Sequence, residues 1–316
     1  MTIKVLIIDD VHEMLIKGLT ELNYEVFYRP KATRADLLQL ITEMDGLVVR
    51  TKTNIDKEVL TAANKLKFIA RAGAGLDNID EVAAKQKQIV VFNAGEANAD
   101  AVGEHTLGMM LSILAKITKG NNEIVKGTWD REGNRGEELN GKTVAIIGFG
   151  NTGKAVAKKL SGFDVEVLAY DKYLTNYSNQ YATEATMDEV FKKADLVTLH
   201  VPLTTETKGM VNSDYLQKFV KQIWLFNMCR GEVLNTQDVV EELKSNRVKG
   251  VGLDVLENEK LNSMSNEEKI WFNYIASSDK TVLTPHVAGW TNQSYFKISE
   301  VLLKKIKDIN LTLSVS

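Results

Sequence analysis

The sequence predicts an α/β protein with two parallel sheets, each covered by helices on both faces. Short runs rich in valine and isoleucine recur at 5–8, 25–28, 47–50, 68–71 and 89–92, then at 143–148, 166–171, 196–200, 223–227, 251–255 and 281–286. They are apolar on both faces and alternate with segments of helical spacing, the pattern of parallel strands joined by crossover helices. The length, 316 residues with 44% apolar, exceeds what one core usually serves, so the two series of strands imply two domains.

In chain order, the first run follows Met1 almost directly, with no long apolar stretch and cleavage site before it. The turn-like Asn93-Ala94-Gly95-Glu96 leads into 99–116, whose spacing predicts a long helix between the two series. The polar, glycine-bearing stretch 126–142 predicts a surface loop, and 154–160 a helix after the first strand of the second series. Residues 262–279 read as an insertion without a functional assignment. Residues 292–310 predict a closing amphipathic helix, and periodicity does not say which sheet it covers.

Composition narrows the function. Lys and Arg total 39 against 42 Asp and Glu, a net charge of −3, which argues against a generic nucleic-acid or acidic-membrane binder. A single cysteine, Cys229, allows neither an internal disulfide nor a cysteine metal cluster, and no metal site is expected. The longest lipid-like stretch, 107–114, is broken by Gly108 and Ser112 and falls far short of the roughly 20 residues that span a bilayer. A cytoplasmic protein is the simplest expectation.

The strongest local signal is Gly148-Phe149-Gly150-Asn151-Thr152-Gly153, which closes an apolar strand and opens a helix. A glycine pattern alone is weak, but here a second strand ends in Asp171, 18 residues past Gly153, which is the context a dinucleotide-binding turn needs. Gly148 permits the turn, Gly150 lets backbone approach a pyrophosphate, and Gly153 lets helix and strand pack closely. The acid of Asp171 suits ribose hydroxyls and repels a 2′-phosphate, so NAD is expected over NADP. Arg230, Glu259 and His286 each fall just past a predicted strand, where parallel sheets place their ligands. Taken singly, each is more often a solvated charge or a structural histidine.

Beyond the glycine turn, the ordered motifs 195–204, 227–234, 252–259 and 284–289, with 71–80 and 103–105, resemble the D-isomer-specific 2-hydroxyacid dehydrogenase family over nearly the whole chain. The resemblance implies two doubly wound domains with an active-site cleft between them. A flavodoxin-like substrate domain would hold residues 1–95 and 288–316, and a Rossmann NAD-binding domain residues 96–287. It implies a catalytic set of Arg230, Glu259 and His286. Arg230 would hold the substrate carboxylate, His286 would exchange the C2 hydroxyl proton, and Glu259 would orient the ring and favour its charged form. NAD would meet Ala74, Gly148, Gly150, Asn151, Thr152, Gly153, Asp171, Val201, Pro202, Met228, Cys229, Asp254, Ala288 and Gly289. The substrate would meet Gly73, Ala74, Gly75, Asn98 and Arg230, and the helix over 99–116 would help form a homodimer. Cys229 itself reads as a small wall residue rather than a nucleophile. The chain departs from the pattern at Lys260, where proline is frequent, and at Trp290, expected to narrow the site.

Arg50-Thr51-Lys52-Thr53, just past a strand of the first series, offers two cations flanking hydroxyls and suits a phosphate. Similar segments occur in phosphoglycerate dehydrogenases, so oxidation of 3-phospho-D-glycerate to 3-phosphohydroxypyruvate, in serine biosynthesis, is the expected reaction, with Arg50 and Lys52 as phosphate contacts. The chain ends soon after the closing helix, so serine feedback through a C-terminal regulatory domain is not expected. The alternatives are a glyoxylate/hydroxypyruvate reductase, another D-2-hydroxyacid dehydrogenase, or an NAD-sensing binding protein on the same scaffold.

Overall fold

The structure is a computed structural model that describes residues 2–313. Two compact units result, Met1–Asn98 with Trp290–Ser316, and Ala99–Gly289. The family resemblance implies these joins at 95/96 and 287/288. The structure draws the first where a long helix begins.

The first unit runs β1 (Lys4–Ile7), α1 (Glu13–Glu21), β2 (Glu25–Tyr28), α2 (Arg34–Leu40), β3 (Gly46–Val49), α3 (Lys57–Ala62), β4 (Phe68–Arg71), α4 (Glu81–Gln86) and β5 (Val90–Asn93), and takes α12 (Asn292–Leu313) from the end of the chain. Its five strands are parallel in the order β2-β1-β3-β4-β5, the flavodoxin-like order. Alternate residues of the central strands feed two cores. Leu6, Leu47, Val49 and Ile69 pack with Leu37, Val59 and Leu60 of α2 and α3. Val5, Ile7, Val48 and Ala70 pack with Leu15 and Leu19 of α1 and with Ile298, Leu302 and Ile306 of α12. This settles the destination of the closing helix: α12 covers the first sheet. Gly18 lets it approach, since a Cβ there would lie 2.2 Å from Leu303 Cδ2.

The second unit holds α5 (Ala99–Leu114), α6 (Ile117–Val125), β6 (Thr143–Ile147), α7 (Asn151–Leu160), β7 (Glu166–Tyr170), β8 (Thr183–Glu184), α8 (Met187–Lys193) and β9 (Leu196–Leu199). It continues with α9 (Ser213–Gln217), β10 (Ile223–Asn227), α10 (Thr236–Lys244), β11 (Val248–Leu253), α11 (Asn266–Ser277) and β12 (Thr281–Leu283). Its seven strands are parallel in the order β12-β11-β10-β9-β6-β7-β8, so the order reverses between β6 and β9. Every residue of β6, β9 and β10 is buried, as strands covered on both faces must be.

Three departures from the sequence reading have local causes. The long helix stops at Leu114 because Lys116 turns left-handed, and α6 starts there. Strand β11 begins three residues early, because Lys249 and Gly250 mask an otherwise buried run. The stretch 262–279 contains α11, started by Ser265 in a capping box with Glu268.

Candidate active site

The glycine turn joins β6 to α7. Gly148 has φ +95°, and a Cβ on it would come within 2.5 Å of the His200 carbonyl, so glycine is required there. A Cβ on Gly153 would lie 2.1 Å from the Gly148 carbonyl, which measures how closely α7 packs on the strand end. Gly150 is the opposite case: nothing lies within 4 Å of where its Cβ would be. It is the N-cap of α7, with no side-chain cap and no acid in the first turn, Asn151 and Thr152 being the first helical residues. The helix therefore presents uncapped amides and the positive end of its dipole to open space, as anion binding needs.

Asp171, just past β7, is fixed by three backbone amides. Its Oδ2 accepts from Phe149 N at 2.9 Å, and its Oδ1 from Tyr173 N at 2.9 Å and Leu174 N at 3.2 Å. Oδ2 keeps a lone pair for a ribose hydroxyl. Val201 and Pro202 follow β9, across the point where the strand order reverses. These residues fit a dinucleotide with an unphosphorylated ribose.

Arg230, Glu259 and His286 follow β10, β11 and β12, three neighbouring parallel strands, so all three stand at one edge of one sheet. The loop carrying Arg230 is folded over the fully buried Asn227. Its Nδ2 donates to the Arg230 carbonyl at 2.8 Å, and its Oδ1 accepts from Cys229 N and Cys229 Sγ, both at 3.1 Å. Arg230 Nη1 donates to the Cys229 carbonyl at 2.7 Å. Met228 and Cys229 are buried, and burial pushes the Cys229 thiol up to about 11, so it stays protonated and inert near neutrality.

Glu259 Oε1 lies 2.9 Å from His286 Nδ1, both side chains about half exposed. That contact fixes which ring nitrogen carries the inner proton and leaves Nε2 for chemistry. His286 takes φ +55°, left-handed for a residue with a side chain. Asp254 holds it there. The Asp254 carbonyl accepts from His286 N at 2.7 Å, Oδ1 from Val287 N at 2.9 Å and Thr284 Oγ1 at 2.5 Å, and Oδ2 from Ala288 N at 2.9 Å. His105 Nε2 reaches Thr284 Oγ1 at 3.0 Å. Asp254 is only 2% exposed, so its carboxylate serves mainly this loop, rather than standing open to a cofactor. No role for Asn227, Thr284 or His105 follows from the sequence alone. The available signal was a polar residue closing the apolar strand Trp224-Leu225-Phe226.

In the first unit, Arg50 follows β3. Its amide donates to Asp9 Oδ2 at 2.5 Å, and Asn78 Nδ2 donates to the Arg50 and Thr53 carbonyls at 2.8 and 2.9 Å, tying this loop to the one after β4. In that second loop the Gly73 carbonyl accepts from Ala94 N at 2.9 Å, and Asn93 holds the Ala74 carbonyl. The amides of Ala74 and Gly75 have no acceptor among the described residues, as a carboxylate cradle requires. Lys52 departs from expectation. Its ammonium is held by the Pro30 and Ala32 carbonyls at 3.0 and 2.6 Å, so it braces the turn after β2 instead of pairing with Arg50 on one anion. Among the described residues Asn98 Oδ1 is buried without a partner, an unmet acceptor at the end of the first unit.

Comparison with known proteins agrees with this geometry. Residues 107–288 match the family model described as D-isomer specific 2-hydroxyacid dehydrogenase, NAD binding domain. A hydroxypyruvate reductase of Thermotoga maritima is 36% identical over 273 residues, covering 86% of each chain. A D-3-phosphoglycerate dehydrogenase of Methanocaldococcus jannaschii is 34% identical over 310 residues, 97% of this chain, which spans 57% of that relative's length. A solved protein of Pyrococcus horikoshii superposes with a TM-score of 0.83 at 28% identity, covering 98% of this chain and 92% of its own. With an open glycine turn, an acid past the second strand of its sheet, and a Glu–His pair and an arginine past neighbouring strands, the chain belongs to the D-isomer-specific 2-hydroxyacid dehydrogenases and carries their NAD-binding domain.

Proposed function

We propose that this chain oxidises 3-phospho-D-glycerate to 3-phosphohydroxypyruvate with NAD, the entry step of serine synthesis, as a cytoplasmic homodimer. The observation that carries the chemistry is the 2.9 Å contact of Glu259 with His286 Nδ1. His286 Nε2 takes the proton of the C2 hydroxyl, and Glu259 stabilises the imidazolium that results. NAD, when bound, accepts the hydride that leaves C2. Arg230 holds the substrate carboxylate and polarises the C2 oxygen. The amides of Ala74 and Gly75, which have no acceptor among the described residues, offer donors to a carboxylate. Arg50 receives the phosphate.

A second reading, a hydroxypyruvate or glyoxylate reductase, is favoured by Lys52, whose engagement with two carbonyls leaves one cation where two were expected. The test is turnover of a panel of D- and L-2-hydroxy acids, with and without phosphate, against NAD and NADP. We expect D-3-phosphoglycerate with NAD to be preferred, and His286→Ala and Arg230→Ala to lower kcat/KM by about 10²–10⁴-fold while NAD still binds. Equal or better turnover of unphosphorylated acids moves the assignment to the reductases. Tight NAD binding without turnover of any acid makes the chain a sensor.

A further inference from the structure

Asp9 and Arg50 stand just past β1 and β3, the two strands between which the order of the first sheet reverses, where parallel sheets bind ligands. Two acids lie beside Arg50, yet neither pairs with its guanidinium. Asp9 Oδ2 is taken by the Arg50 backbone amide. Asp10 accepts the Tyr28 hydroxyl on Oδ1 at 3.1 Å and the Tyr295 hydroxyl on Oδ2 at 2.8 Å. Arg34 shows the contrast, its guanidinium bound to both Asp56 and Glu58.

The Arg50 guanidinium instead lies over an indole, with Cζ 4.1 Å from the centre of the Trp290 ring. Trp290 is 52% exposed and leans on Tyr295, ring centres 6.0 Å apart. Burial works against the Arg50 charge, with Asp9, Tyr295 and Asp10 acting the other way. A partly desolvated cation without a hydrogen-bonded anion gains much from receiving one. The guanidinium N–H groups have no hydrogen-bond acceptor among the described residues, and their fork matches two oxygens of a phosphate.

We propose that Trp290 is a specificity-determining positioning residue, which holds the Arg50 guanidinium by stacking as a preformed receptor for the substrate's phosphate. This rests on the reading of the substrate as phosphorylated. Selectivity for phosphorylated over unphosphorylated acids then depends on the indole as well as on the cation. A lysine at position 50 could not replace it, because an ammonium offers neither a flat face nor a fork.

The experiment compares wild type, R50A, W290L and W290F by the ratio of kcat/KM for D-3-phosphoglycerate to that for D-glycerate, with melting temperatures as a check on folding. W290L is expected to lower the ratio at least about 10-fold, through KM of the phosphorylated acid rather than kcat, and W290F, which keeps a ring face, to recover most of it. Competitive inhibition by inorganic phosphate should weaken in parallel. If R50A collapses the ratio while W290L leaves it at the wild-type value, Arg50 works without the stack and the inference fails alone. If W290L lowers kcat/KM for both acids equally, Trp290 is only a wall of the site, which also overturns it. A wild-type ratio near one removes the phosphorylated substrate, and this inference with it.

Discussion

His286 shows how a single residue can be set against local preference by a distant one. A left-handed φ on a residue with a side chain costs on the order of 1–3 kcal/mol, and here the Asp254 carbonyl and both its carboxylate oxygens hold the turn that imposes it. The sequence pointed to His286 by its place after a strand, but not to this restraint, because the partner lies 32 residues earlier in the chain. His200 is a second case. Its Nε2 meets Thr198 Oγ1 at 2.9 Å, its Nδ1 is buried without a partner among the described residues, and burial pushes it from 6.5 down to about 3. The folded protein keeps this ring neutral while the unfolded chain protonates it below 6.5. Its contribution is therefore complete above that pH and drains away as pH falls towards 3, by at most about 1.4 kcal/mol per pH unit. Urea unfolding at pH 7.0, 6.0 and 5.0 should show wild type losing about 2 kcal/mol more than His200→Gln over this range. Parallel losses in the two proteins would mean that the buried ring titrates freely.

At the scale of the element, α7 separates what folding wants from what binding wants. A helix N-terminus is best capped by Ser, Thr, Asp or Asn, yet α7 starts on a bare glycine whose Cβ position faces open space. The backbone there, at φ −75° and ψ −153°, is open to any residue. Gly150→Asp should therefore fold normally and gain a few tenths of a kcal/mol from the new cap, while its charge repels a pyrophosphate. We expect an unchanged or slightly raised Tm with NAD affinity at least about 10-fold weaker, read by calorimetry. Full NAD affinity in a well-folded variant would show that the pyrophosphate does not sit on this turn. The strands were legible as elements because parallel strands buried on both faces must be apolar throughout. The start of α7 was not legible, reading as loop to Lys154, because a helix built to receive an anion omits the capping residues that announce a beginning.

Across the molecule, the two sheets are covered almost completely, and a conspicuous apolar surface remains on α6 and the loop after it. Ile117, Ile124, Val125 and Trp129 are 58, 53, 78 and 86% exposed, a grouping more typical of an interface than of free surface. Helix α5 buries Val102, Met109, Met110 and Leu114 within the second unit, whereas α6 has no buried residue. Light scattering should give a dimer for wild type at micromolar concentration and a monomer for Trp129→Glu. A variant that stays dimeric would place the contact elsewhere. The sequence by itself determined the two parallel sheets and the nucleotide turn, because strand burial and glycine spacing are written in consecutive residues. Only the tertiary structure decided that Lys52 meets the Pro30 and Ala32 carbonyls and that Arg50 lies over the Trp290 ring rather than pairing with Asp9 or Asp10. Those outcomes depend on which distant groups compete for the same donor or the same face, and the order of residues along a chain does not rank such competitors.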